Sequence, residues 1–363
     1  MPAVYDVVAG ATCGFVVADV RASQKDYDRY YQDLSKYESL ATASGGGTTA
    51  YDQARLRDTA QTISGVLPAK DASVLDVGCA NGGLLLALRE LGFTNLAGLD
   101  PSPACVQRVK SLGFAGFMGG LYTQNGFAKK FDCILLTHVL EHVYDVHQAV
   151  ANIVEWLEED GIAYVEVPDA ARYKDFFITP FYFFDLEHIN HFAESSLRNL
   201  FGQFPGEILA VRSKDIPAAP SNNYPAIYII FKKRSAVGAS SRPVFDPAAK
   251  DSVEEHIRQS AAAPRNLELE KLAISRDPVI VWGAGQAAQR LLQTSALGQA
   301  NILCFTDNDD KKHGLVIAGR PVVAPSQLRG RQATIVICSA LHSREILEQI
   351  KHLGLSQPTL VIT

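Results

Sequence analysis

The feature that most constrains the fold of this chain is a repeated order of short apolar runs, small-residue turns and amphipathic stretches. Five apolar runs in the first two thirds are typical of strands: SVLDVG (73–78), NLAGLD (95–100), FDCILLT (131–137), IAYVEVP (162–168) and AIYIIFK (226–232). Four helix-like stretches follow the first three runs: GGLLLALRELG, PACVQRVKSLG, a helix through the 140s, and residues 148–159 ending at Gly161. Strands separated by helices of this length predict βαβ units and a mainly parallel sheet.

The same order returns after a stretch rich in Ser, Pro, Gly and Ala at 235–248, which is typical of a linker. The later stretches are DPVIVWGAGQAAQRLL (277–292), ILCFTD (302–307), TIVICSA (334–340) and a helix from 343. We therefore predict a doubly wound, Rossmann-like α/β domain followed by a second, smaller Rossmann-like α/β domain. The predicted regions are 1–50, 51–234, the linker 235–248, and 249–363.

Composition excludes several classes of protein. With 363 residues, 47% hydrophobic and 20% charged, the chain is expected to fold into two sizeable domains. A net charge of -5 disfavours nucleic acid as a partner. No apolar run reaches about 18 residues, and the N-terminus lacks a basic region before its apolar stretch, so we expect neither a membrane span nor a signal peptide.

The six cysteines are scattered without a Cys-x-x-Cys pair, which predicts buried, reduced thiols and a cytoplasmic protein. They are Cys13, Cys79, Cys105, Cys133, Cys304 and Cys338.

The turn after the first strand, DVGCANGG (76–83), is built from small residues and opens into a helix. Such a turn lets the backbone approach a ligand and directs free helix N–H groups at it. Asp100 ends the next strand, where an acid can accept ribose hydroxyl groups. Asp76 distinguishes this turn from the turn of a dinucleotide-binding site, because a carboxylate before the turn attracts an amine and repels a pyrophosphate.

Three motifs resemble class I methyltransferases: VLDVGCANGGLL (74–85), LD (99–100) and FDCILLTHVLEHVYD (131–145). The resemblance implies S-adenosylmethionine (SAM) as the cofactor. The cofactor residues that it implies are Asp76, Gly78, Cys79, Asn81, Gly82, Asp100, Pro101, Leu121 and His138. In this family the glycine turn wraps the methionine part, which here is Gly78 to Gly82 with His138 nearby. The acid corresponding to Asp100 holds the ribose, and a residue corresponding to Leu121 packs on adenine.

One departure from the family is Ala80, which stands where many members have glycine. We expect alanine to be tolerated there if its φ angle is negative.

The stretch from His138 to His142 also matches H-x-x-E-H, an inverted zinc-protease pattern. That chemistry needs both histidines on one helix face and a third ligand downstream. Because His138 ends a strand, we expect no zinc hydrolase and no bound metal.

The segment FYFFDLEHINHF (181–192), before a predicted helix at 194–201, combines aromatic residues with titratable ones. Glu187, His188 and His191 could serve proton transfer, for which histidine is suited near neutral pH. The alternative is a surface turn whose polar groups are all satisfied.

With this segment, the whole chain resembles the methyltransferases that add a methyl group to carbon of nucleotide-linked keto-deoxysugars. The resemblance implies His188, Glu187 and His142 as catalytic residues, and Tyr37 in the substrate pocket; we add His191 to the substrate-binding set. Those enzymes begin with a zinc ribbon, of which this chain retains only Cys13, with Gly10 in place of its partner cysteine. A single thiol cannot hold structural zinc, so we predict a degenerate ribbon without metal.

In the last third, Gly283, Ala284 and Gly285 follow a strand, and Asp307 lies 22 residues after Gly285, the spacing of a ribose-binding acid. Three interpretations compete: a substrate-nucleotide site that presents the substrate to the methyl donor, an NAD-dependent redox domain, and a domain for packing alone. The resemblance favours the first.

Taken together, these features predict a SAM-dependent methyltransferase that acts on a nucleotide-linked sugar at carbon or oxygen, a small-molecule substrate. The alternatives are a binding protein without turnover and a methyltransferase of a non-sugar small molecule.

Overall fold

The computed structural model describes residues 5–362 except 21, 28, 30–49, 68, 124–126, 128, 220–221, 237–241 and 340–341. The chain divides into two compact units. The first contains Met1–Phe177 and Phe183–Ile257, and the second contains Ile178–Tyr182 and Arg258–Thr363. This division falls after Ile257, whereas composition placed the linker at 235–248. The four-region division remains a prediction.

In the part of the first unit that the structure describes there are ten strands. They are β1 (Asp6–Ala9), β2 (Val16–Asp19), β3 (Val74–Val77), β4 (Leu96–Asp100), β5 (Ala115–Met118), β6 (Phe131–Thr137), β7 (Leu157–Pro168), β8 (Asn190–His191), β9 (Gly206–Ala219) and β10 (Asn222–Lys233). Seven of them form one sheet in the order β5-β4-β3-β6-β7-β10-β9. All neighbours in it are parallel except β10, which is antiparallel to both β7 and β9. The strand order reverses at β3, and in such sheets ligands bind beyond the carboxyl ends of the strands at this point.

The helices of this unit whose bounds the structure describes are α1 (Ala50–Ser64), α2 (Gly83–Glu90), α3 (Pro103–Ser111), α4 (Val146–Trp156), α5 (Glu194–Phe201) and α6 (Ala248–Ala261), the last of which continues into the second unit. Two of them begin as their sequences predict. The Ser102 side chain accepts a hydrogen bond from the Cys105 N–H and Pro103 opens α3, while Asp145 accepts one from Gln148 N–H at the start of α4.

Both faces of the large sheet are covered, which explains the uninterrupted apolar runs in the sequence. Leu75 and Ile134 belong to one hydrophobic cluster, and Val74, Cys133 and Leu135 belong to the other. The core therefore fixes β3 and β6 firmly, and both lead directly into the candidate site.

Three elements differ from the sequence expectations. β5 and β9 were not predicted, because β5 is mostly exposed and both lie at the edges of the sheet, where the apolar pattern is weak. The helix expected at 148–159 is α4, which ends at Trp156, because Leu157 already pairs with Phe131 as the start of β7. Tertiary pairing overrides the helix propensity of Leu157 to Glu159.

The N-terminal residues form a hairpin attached to the segment 181–192. β1 pairs with β2, and β2 pairs with β8, placing Val16 opposite His191. Gly10 N–H donates to the Phe15 carbonyl and Gly14 N–H donates to that of Gly10, so backbone hydrogen bonds close the turn that contains Cys13.

The second unit is a smaller α/β unit with a six-stranded sheet. Its strands are β11 (Pro278–Trp282), β12 (Asn301–Thr306), β13 (Val316–Ile317), β14 (Arg320–Val323), β15 (Thr334–Ile337) and β16 (Thr359–Val361), in the order β13-β14-β12-β11-β15-β16. Only the β13–β14 pair of these described strands is antiparallel. Its helices are α7 (Leu267–Ser275), α8 (Gln286–Thr294) and α9 (Ser343–His352).

In the part of the chain that the structure describes, none of the helices has the length and apolar character needed to cross a bilayer.

Candidate active site

The turn between β3 and α2 adopts a backbone that needs small residues. Gly78 and Gly82 have φ angles of 71° and 79°, and a Cβ atom on Gly78 would lie 2.6 Å from Cγ2 of Val139. Ala80 has φ of 45°, so the condition under which alanine was expected to be tolerated, a negative φ angle, is not met. A left-handed conformation costs a non-glycine residue about 1–2 kcal/mol, so the turn contains this amount of backbone strain at Ala80.

Asp100 fastens this turn to the end of β4. Its carboxylate accepts hydrogen bonds from Ala80 N–H (2.9 Å) and Ser102 N–H (2.8 Å), one on each oxygen. Burial raises its pKa to about 6, although these two hydrogen bonds oppose the rise. Each carboxylate oxygen keeps a second lone pair, so Asp100 can still accept a hydrogen bond from a hydroxyl group of a ligand.

Asp76, near the end of β3, is 2% exposed, and its Oδ1 atom accepts no hydrogen bond from the residues that the structure describes. Burial, followed by the negative charge of Asp100, raises its pKa to about 8. A buried carboxylate oxygen that accepts no hydrogen bond is costly, and a cationic ligand removes that cost. The ammonium group of SAM is such a cation, so this residue fits the predicted cofactor.

Other predicted cofactor residues lie at the same sheet edge with different exposure. Cys79 and Asn81 are buried in the turn, and Pro101, which follows β4, is partly exposed. Leu121 is buried in the hydrophobic cluster that also contains Leu99. The structure therefore places Leu121 in the core beside the crevice, and its side chain offers little free surface.

His138 follows β6 with φ of 57° and links two buried carboxylates. Its Nδ1 lies 3.3 Å from Oε1 of Glu141, and its Nε2 lies 3.3 Å from Oε1 of Glu166. Lys214 Nζ lies 2.7 Å from the other oxygen of Glu166, and the Tyr164 hydroxyl donates to it at 2.7 Å. Burial alone lowers the pKa of His138, but the two carboxylates outweigh it and the net shift is upward.

The two carboxylates shift the other way. Burial raises the pKa of Glu141 and of Glu166, but His138 acts with the other two histidines at Glu141 and with Lys214 at Glu166, and these partners outweigh burial, so both pKa values lie below their ordinary range. Two buried carboxylates thus face one lysine and one histidine, and these partners offset the cost of burying the carboxylates.

The predicted catalytic histidines come together beside this network. The rings of His142 and His188 lie 4.9 Å apart, and Nδ1 of His142 lies 2.8 Å from the carbonyl oxygen of Glu187. Ile189 N–H donates to the Glu141 carbonyl (2.9 Å), which joins the segment 181–192 to the turn Leu140–His142. Asn190 strengthens the connection, because its side-chain amide donates to the carbonyl oxygens of Leu140 and Val143.

The remaining predicted residues that the structure describes are less exposed to solvent. Glu187 and His191 are fully buried, and burial lowers the pKa of His191 to about 3, so its ring is neutral. Its Nδ1 lies 3.4 Å from the Tyr173 hydroxyl. Phe183 stacks on Tyr173 with 3.9 Å between ring centroids. Tyr37 lies outside the described residues.

Sequence reasoning missed Glu141, Glu166 and Lys214 as parts of this site. A signal was present for Glu166, because an acid in the middle of an apolar strand run needs a partner. No local signal marks Lys214, which reaches the site from the polar edge strand β9.

The second unit repeats the arrangement found around Asp100. Asp307 follows β12 and accepts hydrogen bonds from Ala284 N–H (2.8 Å) and Asp309 N–H (3.0 Å). Lys312 Nζ also lies 3.0 Å from its carboxylate. Gly283 has φ of 111°, and no atom lies within 4 Å of a Cβ built on Gly285, so the backbone there is open to a ligand.

Comparison with known proteins agrees with the geometry of the first unit. Residues 49–208 match the family model of a methyltransferase domain, and residues 275–361 match the model of the C2185-like N-terminal domain.

Among similar proteins, the ubiquinone biosynthesis O-methyltransferase of Rickettsia conorii is 25% identical over 155 residues, covering 38% of this chain and 53% of that protein. The C-methyltransferase NovU of Streptomyces niveus is 23% identical over 282 residues, covering 71% of this chain and 63% of NovU. The chain thus spans less than two thirds of the length of either relative. A solved structure of the 1,6-didemethyltoxoflavin-N1-methyltransferase of Burkholderia thailandensis superposes with a TM-score of 0.41 at 15% identity, covering 62% of this chain and 98% of that one.

The predictions of a methyltransferase and of its cofactor are confirmed at this level: the chain contains a SAM-dependent methyltransferase domain with an α/β fold. The individual site residues and the ligand of the second unit remain predictions.

Proposed function

We propose that the whole chain transfers a methyl group from SAM to a small-molecule sugar carried by a nucleotide. The observation that carries the proposal is the cluster of His142 and His188 next to the turn that follows β6, where backbone hydrogen bonds fix both histidines. SAM supplies an electrophilic methyl group on a sulfonium sulfur. The protein must then hold the substrate in line and accept the proton that the attacking atom loses.

In this proposal Asp76 binds the ammonium group of the cofactor, Asp100 binds its ribose, and the turn from Gly78 to Gly82 lies against its methionine part. On the substrate side, His188 accepts the proton. His142 is held by the Glu187 carbonyl, so its other ring nitrogen faces the cluster.

The sugar substrate is supported by the resemblance of segment 181–192 to sugar methyltransferases, and the similarity to the C-methyltransferase NovU over 282 residues supports methyl transfer to carbon. We further propose that the second unit is Rossmann-like and binds the nucleotide. Its open turn at Gly285, the helix N-terminus of α8 and the cation Lys312 suit a phosphate-bearing ligand.

The first test is His188→Ala, with S-adenosylhomocysteine affinity measured separately. Loss of a general base lowers turnover by about 10²–10⁴-fold while cofactor affinity stays the same. His147→Ala is the matched control, because His147 is an exposed histidine close in sequence and outside the cluster. Turnover of His188→Ala within about tenfold of the parent would exclude His188 as the base.

The second test is thermal stabilisation by S-adenosylhomocysteine, NAD, dTDP, UDP and GDP, since a ligand of the native state raises the melting temperature. We expect a shift with S-adenosylhomocysteine and with one nucleoside diphosphate. A shift with S-adenosylhomocysteine alone would remove the nucleotide from the proposal. Cofactor binding without methyl transfer to any sugar nucleotide would favour a binding protein without turnover.

A further inference from the structure

Three side chains of the candidate site offer atoms that could bind a metal ion, and the proposed methyl transfer does not require such an ion. Glu141, His142 and His188 each offer one ligand atom, and these atoms lie within 4.8 Å of one another. A tetrahedral zinc ion with ligand distances of about 2.1 Å needs donors about 3.4 Å apart. Because the three donor atoms lie within 4.8 Å of one another, side-chain rotations that shorten these separations by up to about 1.4 Å bring them within range.

Glu141 gives this set its charge. Its side chain is 1% exposed, and neither carboxylate oxygen accepts a hydrogen bond within the described part of the chain. His138 Nδ1 lies 3.3 Å from Oε1 of Glu141. The second oxygen, Oε2, therefore remains available, and a buried carboxylate oxygen of this kind is a strong ligand for a cation.

His142 is oriented as a metal ligand is. Its Nδ1 lies 2.8 Å from the carbonyl oxygen of Glu187, which accepts a hydrogen bond from an Nδ1–H group. This hydrogen bond fixes the tautomer whose lone pair is on Nε2, the nitrogen that faces Glu141. Metal-binding histidines almost always show this second-shell hydrogen bond to a carbonyl or carboxylate oxygen.

The donors come from two segments that are joined by hydrogen bonds. Glu141 and His142 lie on the turn Leu140–His142, and His188 lies next to Ile189, whose N–H donates to the Glu141 carbonyl. The Asn190 side chain holds the same turn from the other end, at Val143 (2.6 Å). A scaffold fixed in this way lowers the entropy lost when an ion is bound.

We propose that Glu141, His142 and His188 form a zinc-binding site within the methyl-transfer cluster. Two imidazoles and one carboxylate are a donor set of catalytic zinc sites, which keep a fourth position open. The sequence expectation of no metal rested on the absence of a continuous helix with a downstream ligand. The structure supplies the third donor from a different segment, His188 in place of His138.

Zinc binding has a consequence that rests on the proposed function. A histidine nitrogen that ligates zinc cannot accept a proton, so the ion and the substrate proton compete for His188. Zinc is therefore expected to inhibit methyl transfer, and a chelator is expected to restore it.

The test is calorimetric titration of the metal-free full-length chain with zinc chloride, without substrate. We expect about one zinc ion per chain, and a loss of affinity in Glu141→Gln and His188→Asn that exceeds the roughly 10–100-fold cost of losing a second-shell partner. His147→Ala, which removes an exposed histidine outside the cluster, should bind zinc as the parent does.

Folding of each variant is checked by circular dichroism and urea unfolding without zinc, because Glu141 lies 3.3 Å from His138, one of the predicted cofactor residues. The proposal is overturned if the parent binds no stoichiometric zinc, or if folded Glu141→Gln and His188→Asn both bind it as the parent does. The titration contains no substrate, so failure of zinc binding is distinguishable from failure of methyl transfer.

Discussion

Asp76→Asn tests the electrostatic reasoning behind the cofactor site most directly. In the unliganded chain the pKa of Asp76 is raised to about 8, mainly by burial, against an ordinary value of 3.8. At pH 7 the unfolded chain is ionised at this residue, whereas the folded chain holds a proton there. The interval from the unfolded pKa to pH 7 is roughly three pH units. Each unit costs the folded state about 1.4 kcal/mol, which gives about 4 kcal/mol in total.

The sign of the pH dependence follows from the raised pKa. Asp76 does not destabilise the fold at pH values below its unfolded pKa. Above that value its cost to the free energy of unfolding grows as the pH rises towards 8. Asp76→Asn lacks the titrating group, so the unliganded variant should be more stable than the parent at pH 7 by up to about 4 kcal/mol. That difference should vanish near pH 4, as measured by urea unfolding at several pH values.

Cofactor binding should change in the opposite direction. The ammonium group pairs with the ionised carboxylate, so S-adenosylhomocysteine affinity in the parent should rise by up to about tenfold per pH unit between about pH 5.5 and 7.5. Removing one partner of a buried charge pair costs about 2–5 kcal/mol, so Asp76→Asn should bind roughly 30-fold or more weakly at pH 7.5.

Titration calorimetry at three pH values measures both effects, with Asp71→Asn as the control, because Asp71 is an exposed acid just before β3. Two results together would refute the assignment: affinity in the parent that does not change with pH, and Asp76→Asn binding within about threefold of the parent at pH 7.5, far less than loss of a buried charge pair predicts.

Three further substitutions probe the surrounding structure by urea unfolding. Ala80→Gly should stabilise the protein by about 1 kcal/mol, because Ala80 has a positive φ angle that glycine adopts without strain. Gly78→Ala should destabilise it by more than that, because strain adds to the contact of the new methyl group with Val139. Lys214→Met should cost about 3–5 kcal/mol, because it leaves the fully buried Glu166 without its lysine.

Two matched variants separate these causes. Gly92→Ala also has a positive φ angle, 91°, but no atom lies within 4 Å of its built Cβ, so it measures strain alone. Lys232→Met removes a partly exposed pair with Asp160, which is worth about 0–1 kcal/mol. If Gly78→Ala and Gly92→Ala lower the free energy of unfolding by the same amount, the side chain of Val139 moves away without cost. If Lys214→Met and Lys232→Met lower it by the same amount, the buried pair of Lys214 and Glu166 contributes little to stability.

The cofactor edge of the site could be predicted from local sequence because it is encoded locally. A buried strand, a small-residue turn and a helix start follow one another from Val74 to Glu90, and the next strand ends in Asp100. Parallel strands bring their carboxyl ends to one edge, so placing Asp76 and Asp100 together needs only the strand pattern.

The substrate side could not be placed in this way. His142 and His188 are 46 residues apart in the sequence, and tertiary hydrogen bonds, such as those of Ile189 and Asn190 to the turn Leu140–His142, bring them together. The edge strands β5 and β9 were missed for a related reason: their exposed residues carry little apolar pattern, and pairing with β4 and β10 forms them.

The sequence by itself determined the class of fold, the position of the glycine turn and the cofactor chemistry, because each depends on residues close together in the chain. The tertiary structure decided the positive φ angle of Ala80, the burial of Glu141 and Glu166, and the pairing of Lys214 with a strand far away in sequence. Burial and charge pairing depend on what packs around a group in space, and local sequence does not contain that information.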